Sequence, residues 1–98
     1  MENFLKQVET EIKIRNYSNK TLKSYLNCLR EYLQYKKTNL KKIDSQNIKA
    51  FLLQKQEKKL SPQTINLYLN AIKFFYKEVL NISEKINIRF AKKAKNFP

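Results

Sequence analysis

Residues 61–80, SPQTINLYLNAIKFFYKEVL, read as a helix with a strong start signal and apolar residues around much of its circumference. The Ser61 side chain can accept a hydrogen bond from an orphan backbone amide, and Pro62 at the first helical position has no amide to leave unpaired. The apolar residues that recur at helical spacing are Ile65, Tyr68, Leu69, Ile72, Phe75, Tyr76, Val79 and Leu80. So broad an apolar face predicts a helix that packs between neighbours at the centre of the core.

Three further helices are predicted before this one, from caps and apolar spacing. The first is predicted from Asn3, as N-cap, to Arg15. The second begins after Ser18, as N-cap, and ends at the polar run that begins at Lys36. The third has Asp44 or Ser45 as alternative N-caps and ends at about Lys59. The chain has no glycine and two prolines, so tight hairpin turns would be strained, and no stretch alternates apolar and polar residues as a half-buried strand does. The sequence therefore predicts an all-α domain of four helices over residues 1–80.

Beyond Asn81 the apolar residues thin out and cations dominate. The basic residues there are Lys85, Arg89, Lys92, Lys93 and Lys95, and Glu84 is the one acid. We interpret residues 81–98 as a basic arm or linker. A short helix with Ile82, Ile86 and Phe90 on one side is a further expectation for this segment.

The second and fourth helices share a pattern. Residues 18–29, SNKTLKSYLNCL, align without gaps on residues 61–72, SPQTINLYLNAI, so that Ser, Thr, Tyr, Leu and Asn recur at five equivalent positions. Two capped amphipathic helices can look alike through capping and core packing alone, and that interpretation stays open beside a shared binding role.

Each of these two helices also carries an acid-free polar stripe. On the predicted second helix the stripe is Lys20, Lys23, Asn27, Arg30 and Gln34, which we call the α2 stripe; on the predicted fourth helix it is Gln63, Asn66, Asn70, Lys73 and Lys77, which we call the α4 stripe. Spacings of three and four place each set on one side of its helix. Solvated faces usually mix both signs of charge, so stripes of cations and amides fit phosphates and base edges better. For any single residue, plain solvent exposure remains the alternative.

The charge balance indicates a polyanionic partner. The chain has 21 Lys and Arg against 8 Asp and Glu, a formal net charge of +13 over 98 residues. Nucleic acid and acidic membrane surfaces are the two candidate partners, and composition alone does not separate them. No apolar run approaches a membrane span and the N-terminus lacks the features of a signal peptide, so we expect a soluble, cytoplasmic protein.

Residue types exclude several kinds of site. Cys28 is the one cysteine and histidine is absent, so we expect neither a disulfide nor a zinc site, and no other cofactor is indicated. Cys28 is interpreted as a passive helix residue. The eight carboxylates are scattered, without a pair identifiable as a general acid and base. We therefore predict no catalytic residues and no enzymatic activity for the chain alone.

Three stretches together resemble the N-terminal core-binding domain of tyrosine recombinases of the phage-integrase type. The first stretch has Ser18, Thr21, Tyr25, Leu29 and Tyr32; the second has Ile43, Asp44, Ile48, Phe51 and Leu52; and the third has Ser61, Thr64, Asn66, Leu69, Ile72, Phe74, Phe75 and Tyr76. The resemblance spans roughly residues 4–80. Its most specific parts are the two Ser-x-x-Thr helix starts with the aromatic positions that follow them.

The resemblance implies a four-helix, SAM-like orthogonal bundle that grips a recombination half-site with its second and fourth helices in the major groove. DNA contact is thereby implied for Ser18, Lys20, Thr21, Lys23, Asn27, Ser61, Gln63, Thr64, Asn66 and Lys73, to which the stripes add Arg30 and Asn70. The implied partners are double-stranded DNA, a catalytic domain of the same full-length protein and other recombinase protomers. The family's catalytic Arg, Lys, His and Tyr set is not identifiable here, and the basic segment that ends at Pro98 resembles the family's linker into the catalytic domain. We therefore expect the chain to be an excerpt of a longer recombinase, with a natural stand-alone protein as the alternative.

Three other functions are alternatives to DNA binding by a recombinase domain. A helical protein–protein interaction module, whose lysines keep it soluble, is the main alternative, and it predicts little affinity for DNA. A membrane-surface or RNA binder fits the amide-rich stripes less well, and no exposed apolar wedge is evident. A stand-alone enzyme fits least.

Overall fold

In the computed structural model, which describes residues 1–89, the fold consists of four α-helices and one short π-helical turn. The bounds are α1 Glu2–Ile14, α2 Asn19–Lys36, α3 Ser45–Glu57 and α4 Pro62–Phe74, and the π turn Phe75–Val79 continues α4. No strand occurs within these 89 residues. The predicted all-α, four-helix architecture is confirmed.

Three of the four helices begin at side-chain caps. The Ser18, Asp44 and Ser61 side chains each accept a hydrogen bond from the backbone amide three residues later. Of the two alternatives for α3, Asp44 is the cap, and the helix ends at Glu57, two residues before the predicted end. Each cap satisfies an amide that the helix itself leaves without a partner.

The predicted N-cap of α1 is wrong. The helix begins at Glu2, with Met1 in the capping position and no side-chain cap bond. The amides of Phe4 and Leu5 donate to the Met1 carbonyl, so Asn3 already lies within the first turn and its side chain cannot cap it. The acidic Glu2 in the first turn is favoured by the positive end of the helix dipole, so the helix begins before Asn3 without a side-chain cap.

The predicted continuous α-helix to Leu80 is also corrected. After Phe74 the backbone widens into the π turn, closed by a bond from the Leu80 amide to the Phe75 carbonyl. Three consecutive aromatic residues are buried there against three different parts of the fold. The Phe74 ring packs on Tyr25 of α2, the Phe75 ring on Phe4 of α1, and the Tyr76 hydroxyl donates to backbone carbonyls of the loop before α3. The wider turn accommodates all three contacts.

The loops reverse direction without glycine. In the part of the chain that the structure describes, five residues other than glycine have positive φ: Asn16, Lys37, Asn39, Lys59 and Asn81. Asparagine tolerates this region better than most residues, and three of the five positions carry it. Asn81 follows the π turn, and no helix forms over residues 82–89, so the predicted short helix is wrong where the structure describes it. Phe90 and the lysines at 92, 93 and 95 lie outside the described residues.

The core lies where α2 and α4 meet, with α1 and α3 packed around them. These two helices make the most extensive interhelical contact in the described chain. Buried rings form the middle of the core: Phe51 of α3 packs edge-on against Tyr32 of α2, at a centroid distance of 5.1 Å, and against Tyr68 of α4, at 5.5 Å. The central position predicted for the fourth helix is thus observed.

Candidate nucleic-acid interface

The α2 stripe lies on the solvent side of its helix. Lys20, Lys23, Asn27, Arg30 and Gln34 are all exposed, whereas Leu29, Tyr32 and Leu33 on the other side are buried. The Arg30 guanidinium donates to the Asn27 amide oxygen at 3.4 Å, which links two members of the stripe. The α2 stripe therefore presents three cations and two amides side by side on the surface.

The two serine caps have matching geometry. At the start of α2, Ser18 Oγ accepts a hydrogen bond from the Thr21 amide at 3.1 Å and lies 3.1 Å from Thr21 Oγ1. At the start of α4, Ser61 Oγ accepts a hydrogen bond from the Thr64 amide at 3.2 Å and lies 3.0 Å from Thr64 Oγ1. When each serine donates to its threonine, the threonine hydroxyl keeps its own hydrogen for a further acceptor. The serines thus act as caps, and the threonines can still donate outward.

The starts of α2 and α4 differ electrostatically from that of α3. Neither has an acidic residue in its first turn, and both caps are neutral hydroxyls. The start of α3 is capped by the carboxyl group of Asp44. A helix N-terminus carries a partial positive charge that attracts anions, so α2 and α4 keep a field that Asp44 offsets in α3.

The α4 stripe is less exposed than its sequence suggests. Gln63, Asn70 and Lys77 are exposed, but Asn66 and Lys73 are half-buried. Residues 82–89, which we call the C-terminal segment, lie beside these two side chains, and the Lys73 ammonium donates to the Ile88 carbonyl at 3.5 Å. Lys77 lies in the π turn and not in α4 itself. Periodicity within one helix could not predict that a later part of the chain folds back onto it.

Glu31, the one carboxylate on α2, lies one turn beyond Asn27 and is part of a cluster that sequence reasoning missed. Its two oxygens accept from the Lys55 ammonium and from the Tyr68 hydroxyl, each at 2.7 Å. The Lys55 ammonium also lies over the rings of Phe51 and Tyr68, 5.0 and 5.2 Å from their centroids. The Lys55 side chain is 8% exposed, against 46% for Glu31. The cluster joins α2, α3 and α4, and Lys55 compensates the one negative charge of α2.

The cluster holds the Glu31 carboxyl in its charged form. Partial burial acts to raise the pKa of Glu31, but the hydrogen bonds from Lys55 and Tyr68 and the positive charge of Lys55 outweigh it, so the pKa lies below its ordinary value of 4.5. The stabilisation that this gives the fold is complete above pH 4.5 and is lost as the pH falls through the lowered pKa.

We therefore expect Glu31→Gln to destabilise the domain at pH 7 by about 1 kcal/mol, a figure kept small because the carboxyl group is half exposed. The difference from wild type in the free energy of unfolding should shrink toward zero as the pH falls below 4.5. Urea unfolding at pH 7, 5 and 3 measures it. Glu9→Gln, which breaks an exposed ion pair with Lys13 within α1, is the matched control and should change little at any pH. A Glu31→Gln difference that persists unchanged at pH 3 contradicts this assignment.

Most of the other acids in the described chain have identified positions away from the stripes. Glu9 pairs with Lys13 along α1, and Arg15 binds both Glu11 and Glu78, at 3.5 and 2.8 Å. The Arg15 guanidinium also lies 5.7 Å from the centroid of the Phe74 ring. These contacts fasten the end of α1 to the π turn, whereas Glu84 of the C-terminal segment lies in a shallow cavity beside Lys73 and Lys77 of the α4 stripe.

Reactive side chains in the described chain have structural roles. Cys28 is buried, and burial raises the pKa of its thiol to about 12, so it is not a thiolate at neutral pH. Burial also raises the pKa of the Tyr76 hydroxyl to about 12 and the pKa values of Tyr32 and Tyr68 still further. Residues 1–89 contain no group of three or more side chains suited to hold a metal ion, and no helix among them is long and apolar enough to cross a bilayer.

Comparison with known proteins gives one family. Residues 4–86 match the family described as phage integrase, N-terminal SAM-like domain. The match covers α1 to α4, the π turn and the first part of the C-terminal segment. It confirms the resemblance predicted from the helix starts and aromatic positions. The family describes the N-terminal part of integrases and not their catalytic domain. No curated protein matches the chain.

Proposed function

The chain belongs to the family of phage integrase N-terminal SAM-like domains, and from this premise we propose that it is the DNA-binding domain of a site-specific tyrosine recombinase. In this proposal α2 and α4 grip one recombination half-site in the major groove. A catalytic domain of the same full-length protein and further protomers on the DNA complete the recombining assembly.

One observation carries the proposal: the two helices with the acid-free stripes are also the two with neutral, serine-capped starts, and they pack against each other. The Tyr25 and Phe74 rings meet at 5.5 Å, and further along the pair Glu31 accepts from Tyr68. Two neighbouring helices with the same surface chemistry fit one ligand with repeating negative charge better than two unrelated ligands. A duplex is such a ligand.

The residue types divide into two roles. Phosphates suit the helix starts, where Thr21 and Thr64 and the first backbone amides can donate, and the ammonium groups of Lys20, Lys23 and Lys73. Base edges suit the amides and the guanidinium, since Asn and Gln can bind adenine bidentately and Arg can bind guanine. The base-reading candidates are Asn27, Arg30, Gln63, Asn66 and Asn70.

A salt titration with double-stranded oligonucleotides tests the proposal. We expect binding at low ionic strength, with an affinity that falls by about 0.9 log unit per log unit of salt for each phosphate neutralised. Single-stranded DNA and double-stranded RNA of the same length serve as comparison ligands and should bind more weakly. An absence of duplex binding at low ionic strength overturns the proposal and favours a protein–protein interaction module, for which exposed Ile14 and Leu53 would be contact candidates.

A further inference from the structure

The C-terminal segment is attached to the helical domain by alternating apolar contacts. Ile82, Ile86 and Ile88 are half-buried and pack against the core, and the Ile82 amide donates to the Tyr76 carbonyl at 2.9 Å. The Lys73 ammonium holds the other end through the Ile88 carbonyl. The segment thus has a defined position although it contains no regular secondary structure.

The same attachment directs polar side chains outward next to the α4 stripe. Lys85 and its neighbour Glu84 line one shallow cavity together with Lys73 and Lys77. Arg89 lines a second one with Asn66 and with Lys49 of α3. Both Lys85 and Arg89 are exposed. Two cations and one acid from outside the helices therefore lie beside the α4 stripe.

We propose that the docked C-terminal segment is part of the DNA-binding surface, with Lys85 and Arg89 as phosphate contacts beside α4. This inference rests on the proposed DNA-binding function. A segment held in place by three isoleucines loses less conformational entropy when DNA binds than a free arm would, so its cations contribute more affinity.

The charge of the segment favours this role over blocking of the surface. A segment that competed with DNA for Asn66 and Lys73 would be expected to resemble a polyanion. Residues 82–89 instead carry two cations, Lys85 and Arg89, against the single acid Glu84. The segment half-covers Asn66 and Lys73, but its two cations outnumber the one acid Glu84, so it adds a net positive charge beside α4.

Two variants of the 98-residue chain test the inference by duplex binding over a salt series. Lys85→Gln/Arg89→Gln removes the cations, and we expect affinity to fall several-fold and the salt slope to decrease by about 2, or about 1 per phosphate contact. Ile86→Ser/Ile88→Ser keeps both cations but weakens the docking, and we expect it to lose part of the same affinity. Lys6→Gln/Lys13→Gln on α1 is the control with the same change in net charge. Circular dichroism should report unchanged helicity in all three variants, because none changes a buried residue of a helix.

The outcomes separate the alternatives. If Lys85→Gln/Arg89→Gln loses no more affinity for duplex DNA than the α1 control, then only net charge matters and the inference is overturned. Tighter binding by Ile86→Ser/Ile88→Ser than by wild type means that the segment blocks the surface, which also overturns it. In both cases wild type still binds duplex, so the proposed function stands. Wild type that fails to bind duplex removes the function and the inference together.

Discussion

Lys20→Glu/Lys23→Glu is expected to lower the affinity for duplex DNA by about a hundredfold at low salt. Each substitution replaces an exposed cation of the α2 stripe with a charge that repels phosphate. We expect each substitution to cost about 1.4 kcal/mol of binding free energy, which is modest for like charges in an interface. Each such cost lowers the affinity about tenfold. The salt slope should fall by about 2 because two phosphate contacts are lost. Fluorescence anisotropy with a labelled duplex at several salt concentrations measures both quantities.

The matched control is Lys6→Glu/Lys13→Glu on α1. It changes the net charge by the same amount and also uses exposed lysines, but α1 carries three glutamates and no stripe. We expect a small loss from the weaker overall field and nearly the wild-type salt slope. Equal losses in the two double variants would mean that DNA responds to net charge alone, which contradicts an interface on α2. Lys73 of the α4 stripe is not changed in this test, because its ammonium group also contacts the C-terminal segment.

The four helices could be predicted from sequence because their signals are local. A cap at Ser18, Asp44 or Ser61 depends on residues within one turn, and the apolar faces that follow depend on a few turns. Asn3 shows the limit of this reasoning. The residue type suits a cap and apolar residues follow it, but α1 begins at Glu2, because a helix can also begin without a side-chain cap when an acidic residue lies in its first turn.

Features that join distant residues could not be predicted. The π turn depends on where Phe74, Phe75 and Tyr76 find their partners, on α2, α1 and the loop before α3. The bond between Glu31 and Lys55 spans 24 positions. The stripes were visible because each follows one helix. The partial burial of the α4 stripe could not be predicted from sequence, because the residues that bury it come after the helix and have no regular period.

Phe51→Ala is expected to cause the largest loss of stability. The Phe51 side chain is 1% exposed and lies among the rings of Tyr32, Tyr35 and Tyr68, with the Lys55 ammonium 5.0 Å from its centroid. Truncation removes the apolar contacts of a buried ring, leaves a cavity where three helices meet and removes a ring face from a buried cation. Such changes cost about 3–5 kcal/mol, a large part of the 5–15 kcal/mol that typical domains have. Urea unfolding followed by circular dichroism measures the difference.

Leu53→Ala, two positions further along α3, is the matched control. Its side chain is 54% exposed, so the loss should stay within about 0.5 kcal/mol. Equal losses at Phe51 and Leu53 would contradict the packing described for α3. Duplex binding at a temperature where Phe51→Ala is still folded adds a second comparison. Because Phe51 belongs to neither stripe, the folded fraction should bind with nearly wild-type affinity, whereas Lys20→Glu/Lys23→Glu should lose affinity at nearly wild-type stability. One variant should thus lose stability and keep its affinity, and the other should lose affinity and keep its stability. This result is expected if the core holds α2 and α4 in place and their outer side chains contact DNA.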